Sequence, residues 1–179
     1  MKNPWKRQKT EVKFDNPWIT LHDEEVINPG GGISQYGRVH FKNLAIGIIP
    51  LDQNMNTWIV GQWRYPLGEY SWEIPMGGGP IGIAPLESAR RELREETGIS
   101  AKNWEELLRI HTSNSVTDEV GFVYVATDLT FGSTDFEESE DLAIKKIPLS
   151  EVVSMCMDGR ITDSLSLAAV LKLARKLNL

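Results

Sequence analysis

The sequence predicts an α+β chain, and three observations lead there. Short strands separated by turns fill the N-terminal part, an amphipathic helical stretch "PLESARRELREET" interrupts the strand-like runs, and helical periodicity returns toward the end in "SEVVSMCM" and "SLSLAAVLKLARKL". The order of the elements is mixed, with no internal repeat, low-complexity tract or coiled-coil heptad run.

The first forty residues read as a small antiparallel meander. "TEVKF" is followed by "WITLHDEEVI" after Asn16-Pro17 and by "QYGRVHF" after "NPGGG", each bounded by turn-forming residues. "LAIGIIPLD" and "TWIVGQWRY" are apolar strands divided by the polar turn "QNMN". The first is apolar enough for burial on both faces, and the two are expected at the centre of a second sheet. A helix is expected from Pro85 to Thr97, because proline is tolerated in a first turn and Gly98 suits a C-terminal cap. "EVGFVYVA" and "LAIKKIPL" are further strands, and Asp163 is the expected N-cap of the last helix.

A chain of 179 residues with 41% hydrophobic and 25% charged residues has the composition of an ordinary globular protein with one core. The net charge of -6 gives no general attraction to nucleic acid or to an anionic membrane, so an anionic ligand needs a local arginine cluster or a bound cation. Cys156 is the only cysteine, which excludes an intrachain disulfide and a Cys-based zinc finger and fits a reducing compartment. The basic start "MKNPWKRQKTEVKF" is followed by no apolar stretch, and no 18-residue apolar run occurs, so a cytoplasmic location is expected. His22, His40 and His111 have no metal-ligand spacing. Among the six tryptophans, Trp5, Trp18 and Trp63 are expected in a core or an interface.

On the helix, Glu92, Glu95 and Glu96 occupy an arc of roughly 100° beside an apolar side made of Leu86, Ala89 and Leu93. Like charges at i,i+4 cost an isolated helix about 0.2–0.5 kcal/mol, so helix stability alone does not select the cluster. Carboxylate oxygens are the ligands that hard Mg²⁺ and Mn²⁺ prefer, and such ions commonly share protein carboxylates with substrate phosphates.

The stretch "GGGPIGIAPLESARRELREETGI" resembles the Nudix box: Gly, five residues, Glu, seven residues, then Arg-Glu-apolar-any-Glu-Glu-any-Gly-apolar. Gly77, Arg91, Glu92, Leu93, Glu95, Glu96, Gly98 and Ile99 match, and Ile83 stands where the family has its first Glu. The resemblance implies a Nudix fold, a mixed β-sheet sandwiched between helices, with a small N-terminal antiparallel β-sheet region. Residues 1–42 are then expected to form that region, with roles in dimerisation and nucleotide binding, and residues 43–179 the hydrolase domain. It also implies a divalent cation, Mg²⁺ or alternatively Mn²⁺, held by Glu92, Glu95, Glu96 and the backbone carbonyl of Met76. In the family the first Glu mainly holds the box arginine, so Ile83 removes a brace more than a ligand, and activity is expected to survive. Glu87, four residues before Arg91, is the expected substitute brace.

Beyond the box, the chain is similar to the ADP-ribose pyrophosphatase and nucleoside diphosphate sugar hydrolase branch of that superfamily. The similarity runs through "GQWRYPLGEYSWEIPMGG", "TSNSVTDEVGFVYVA" and "ESEDLAIKKIPLSEV". It implies Arg64 at the diphosphate or terminal ribose, Glu73 near the same sugar, and Glu138 as an acid on a mobile loop that handles the proton of the attacking water, with Glu137 and Glu140 close enough to take its place. Glu95 and Glu96 join Glu138 as catalytic residues. A homodimer with a composite nucleotide pocket is implied as well. The expected reaction is Mg²⁺-dependent hydrolysis of a nucleoside diphosphate sugar, ADP-ribose or an ADP-hexose, to a nucleoside monophosphate and a sugar phosphate, with no nucleic-acid or membrane partner. The alternatives are another diphosphate, such as NADH or a dinucleoside polyphosphate, and a non-catalytic sensor of nucleotide sugars.

Overall fold

The apolar run "LAIGIIP", buried continuously from Ile46 to Pro50, organises the core. In the computed structural model, which describes residues 1–134 and 142–179, this run forms β4 (Asn43–Pro50). Ile46 and Ile48 pack on one face of the sheet and Ile49 on the other, as the two-residue period of a strand requires. The neighbouring β9 (Val120–Phe131) divides in the same way: Tyr124 and Ala126 face one layer, Val123 and Val125 the other. Full burial of each isoleucine contributes about 1.5–3 kcal/mol of transfer free energy.

Helices cover both faces. α1 (Pro85–Thr97) brings Ala89 and Leu93 onto Ile46, Ile48 and Tyr124. On the opposite face, α2 (Leu149–Met157) and α3 (Ser164–Leu177) bring Val152, Met155, Ala169, Val170 and Leu173 onto Ile49 and Val123. The sheet between them has the order β7-β4-β9-β8, with β7 spanning Met76–Pro80 and β8 spanning Ile99–His111. β4 and β9 are parallel and the other pairs antiparallel, so the sheet is mixed. A second sheet, β10-β5-β6, is antiparallel and comprises β10 (Ala143–Pro148), β5 (Asn56–Arg64) and β6 (Glu69–Glu73). The expected α+β architecture is present.

β4 and β5 do not share a sheet, contrary to expectation, and only an isolated bridge joins Leu51 to Thr57. Both edges of β4 are already taken by β7 and β9, while the turn at 52–55 redirects the chain. Asp52 accepts the backbone N–H of Asn54 at 2.9 Å and of Asn56 at 2.8 Å, and Met55 takes a φ of 61°.

The N-terminal meander is an antiparallel sheet of β1 (Lys6–Asp15), β2 (Ile19–Ile27) and β3 (Ile33–Phe41). It is tied to the loop before β9 by backbone bonds from Val39 N–H to the Val116 carbonyl and from Asp118 N–H to the Val39 carbonyl. Every residue of β1 is exposed. Trp5, Trp18 and Trp63 are exposed too, which removes the core reading for all three. None of the described helices is long and apolar enough to cross a membrane.

Candidate active site

The box folds as a strand, loop and helix in which β7 lies against α1. Pro85 opens the helix, and Gly98 closes it with a φ of 68° and its N–H on the Arg94 carbonyl at 2.8 Å, as expected of a left-handed cap. A side chain at Gly98 would meet the Gly132 carbonyl oxygen 2.5 Å from its Cβ.

Of the three box glutamates, Glu92 and Glu96 meet β7 and Glu95 meets Arg91, so their surroundings are unequal. Glu92 and Glu96 are buried, and Glu95 is half-buried. The Glu92 carboxyl sits where a side chain on Gly77 would begin, with its carboxyl carbon 2.2 Å from the ideal Cβ position, so only glycine admits that acid beside the strand. Glu96 accepts the N–H of Met76 at 2.9 Å. The helix thus holds one end of β7 through Glu96 and leaves room for Glu92 through Gly77.

Arg91 supplies the positive charge between them. Its guanidinium donates to Glu95 Oε2 at 2.7 Å, to Glu92 Oε1 at 2.5 Å and to the Gly78 carbonyl at 2.8 Å. Burial alone would lower its pKa, but Glu92 and Glu95 reverse this and hold it above the ordinary arginine value. Glu87 does not brace Arg91, contrary to expectation. The arginine reaches across toward β7, where two carboxylates and a carbonyl surround it, and Glu87 stays exposed on the solvent side. Ile83 is also exposed and sits in the loop with its N–H on the Pro80 carbonyl at 3.1 Å.

Among the described residues, no group of three or more His, Cys, Asp or Glu side chains is arranged to hold a metal ion. Arg91 donates to Glu92 and Glu95, and Met76 N–H donates to Glu96. The donor set nonetheless fits a hard divalent cation. Glu92 is buried against Gly77 and Glu96 against Met76 of one strand, Glu95 adjoins them on the helix, and the Arg91 guanidinium is the present counter-charge.

Arg64, at the end of β5, and Glu73, at the end of β6, form a forked ion pair. Arg64 Nε donates to Glu73 Oε1 at 2.9 Å, and a second contact joins Nη2 to Oε2. Glu73 is buried while the arginine is about one-third exposed. The bond to Glu73 comes first among the causes that raise the Arg64 pKa, and the charges of Asp163 and Glu96 add to it. The pair lines a cavity of about 210 Å³ together with Ser71, Thr162 and Asp163. Arg64 and Glu73 therefore meet at one cavity, each as the other's partner. Glu138, with its neighbours Glu137 and Glu140, lies outside the described residues.

Sequence reasoning missed a polar junction between the N-terminal sheet and the 113–118 loop. Asp118 accepts Phe41 N–H at 3.0 Å and Arg38 Nη1 at 3.0 Å and contacts His40 Nδ1 at 2.7 Å. Arg38 also reaches buried Glu24 at 3.1 Å, as Arg7 does at 3.4 Å. These arginines, Trp5 and Tyr36 border a cavity of about 590 Å³ that shares no lining residue with the box helix. Alternating polar and apolar residues along "QYGRVHF" signal a half-exposed strand, but nothing in that alternation marks Arg38 as a junction residue.

Two family models match the chain: the NUDIX domain over residues 41–164 and the nucleoside diphosphate sugar hydrolase N-terminal domain over residues 5–39. The chain is 36% identical over 157 residues to an ADP-ribose pyrophosphatase of Mycobacterium tuberculosis, covering 86% of this chain and 75% of the relative. It is 31% identical over 164 residues to a methanol dehydrogenase activator of Bacillus methanolicus, covering 90% of this chain and 88% of the other. Among solved structures, an ADP compounds hydrolase superposes with a TM-score of 0.87 at 20% identity, covering 98% of this chain and 95% of that one, a likeness of fold.

Proposed function

This chain belongs to the Nudix family, and from that premise we propose that it is a hydrolase cleaving the diphosphate of a nucleoside diphosphate sugar, ADP-ribose or an ADP-hexose. The products are a nucleoside monophosphate and a sugar phosphate. The observation that carries this reading is the box helix: Glu92 and Glu96 meet β7 beside Glu95, in a chain whose N-terminal residues 5–39 match the nucleoside diphosphate sugar hydrolase N-terminal domain.

Glu92, Glu95, Glu96 and the Met76 carbonyl are the proposed ligands of Mg²⁺, with Mn²⁺ as the alternative, an ion that supplies charge neutralisation on the diphosphate and a lowered water pKa. Two of the Arg64 donors are held by Glu73, and the remaining N–H groups, which have no partner among the described residues, would orient a phosphate or sugar oxygen at the cavity. Glu73 keeps the guanidinium fork in one orientation before substrate arrives, which reduces the ordering cost on binding. Glu138 is proposed to take the proton from the attacking water. Arg91 already donates to the Gly78 carbonyl and would keep that bond while turning its other N–H groups to solvent if a cation took Glu92 and Glu95.

The proposed working form is a cytoplasmic homodimer in which the exposed side chains Trp5, Phe14 and Trp18 of the N-terminal sheet meet a second copy. The cavity bordered by Trp5, Tyr36, Arg7 and Arg38 offers aromatic faces and guanidinium groups to a nucleotide in that assembly.

The test is product analysis against ADP-ribose, ADP-glucose, GDP-mannose, UDP-glucose and NADH, each with Mg²⁺ and with EDTA. Metal-dependent release of AMP from ADP-ribose or ADP-glucose is the expected result. Retained ligand binding without turnover of any of them would instead make the chain a nucleotide-sugar sensor and Ile83 the mark of a lost activity.

A further inference from the structure

Four consecutive residues, Glu73 to Met76, join the two halves of the candidate site. Glu73 holds Arg64 at the small cavity. Met76 donates its N–H to Glu96 of the box helix at 2.9 Å. Between them, the Pro75 carbonyl accepts Ile48 N–H at 2.8 Å from the central strand. The remaining backbone donor, Ile74 N–H, belongs to a buried residue and bonds to no backbone carbonyl among the described residues. It donates to the hydroxyl of Ser166, in the first turn of α3, at 3.0 Å.

Ser166 is fully buried, and its position is itself determined. Asp163, the N-cap of α3, accepts Ser166 N–H at 2.7 Å, and Asp163 and Thr162 line the same cavity as Arg64 and Glu73. The rest of α3 is anchored in the core through Ala169, Val170 and Leu173. The hydroxyl therefore ties a rigid helix to the short segment that spaces the sugar-side pair from the carboxylate cluster.

We propose that Ser166 is a positioning residue for the hydrolysis: by accepting Ile74 N–H it sets the spacing between Glu73 and Met76, and so couples substrate binding to cation binding. The inference rests on the functional reading above. Loss of the hydroxyl leaves Ile74 N–H without an acceptor in a site closed to water, and the segment must shift to satisfy it. Glu73 and Met76 move with it.

The experiment compares Ser166→Ala with Val170→Ala, which removes core volume from the same helix and leaves the hydroxyl acceptor of Ile74 N–H in place. Three quantities are read on the full chain: KM for ADP-ribose, Mn²⁺ affinity from water-proton relaxation without nucleotide, and amide exchange at Ile74 and Met76. Ser166→Ala is expected to raise KM and weaken Mn²⁺ binding, each roughly tenfold, the effect of one unsatisfied buried donor. It should also speed exchange at Ile74 and Met76 more than along α3. Val170→Ala is expected to lower Tm while leaving KM and Mn²⁺ affinity as in the parent. If Ser166→Ala does not fold, Ser166→Cys keeps the volume with a poor acceptor and is expected to shift the same quantities in the same direction. Unchanged KM, Mn²⁺ affinity and exchange, or changes no larger than those of Val170→Ala, overturn the proposal. A parent that binds Mn²⁺ but hydrolyses no nucleotide sugar removes the proposed reaction, and Ser166 is then decided by relaxation and exchange alone. A parent that binds no Mn²⁺ overturns both.

Discussion

At the scale of single residues, the glutamates of α1 differ in what surrounds them, and that difference orders the expected effects of substitution. Glu96 is buried against the Met76 N–H, and Glu95 is half-buried on Arg91. A Glu95→Gln, Glu96→Gln protein keeps the shape and most hydrogen bonds but loses two negative charges. We expect it to bind nucleotide sugar and to lose kcat on the order of a hundredfold or more, measured as nucleoside monophosphate release under conditions where the parent is active. Glu87→Ala is expected to leave both rate and Mg²⁺ dependence unchanged, because Arg91 is held by Glu92, Glu95 and Gly78 without it. The glutamate cluster was legible in the sequence because helical spacing alone puts its members on one side. The Arg91 contacts were not, since a guanidinium at the end of a long side chain chooses among acids by tertiary proximity, and the favourable i,i+4 spacing to Glu87 contributes only about 0.2–0.5 kcal/mol.

At the scale of elements, two local devices carry measurable weight. The left-handed cap at Gly98 is one. Gly98→Ala should lower stability by about 1–2 kcal/mol from backbone strain alone, with a further loss from the contact with the Gly132 carbonyl, read as a lower urea midpoint at unchanged m. The turn between β4 and β5 is the other. Burial pushes the Asp52 carboxyl up, but hydrogen bonds from Lys146 and from Asn56 and Asn54 outweigh it and bring its pKa down to about 2. The folded-state value is below the unfolded one, so the stabilisation is fully present above about pH 4 and lost as pH falls through 2. It amounts to roughly 2 kcal/mol, and Asp52→Asn should flatten the fall in stability between pH 4 and pH 2. The helices were legible with their caps, Gly98 and Asp163, because capping is a short-range matter. β8 was not recognised, since "ISAKNWEELLRIH" mixes good helix formers without a two-residue alternation; its pairing along the full length of β9 overrides that local preference.

For the whole molecule, the expected dimer gives a direct test: sedimentation equilibrium at micromolar concentration should return twice the 20.2 kDa chain mass, and Trp18→Ala combined with Phe14→Ala should shift it toward the single-chain value. The sequence by itself determined the fold class, the caps at Gly98 and Asp163, the two-sided burial of β4 and the carboxylate cluster, because these depend on residue type at separations of a few positions. Only the tertiary structure decided that β4 and β5 belong to different sheets, that Arg64 and Glu73 satisfy one another, that Arg91 turns from Glu87 to Glu92 and Glu95, and that Ser166 holds Ile74 from 92 residues away. Those outcomes depend on which strand edges are already occupied and which buried donors lack an acceptor, and both are settled only once the chain has closed on itself.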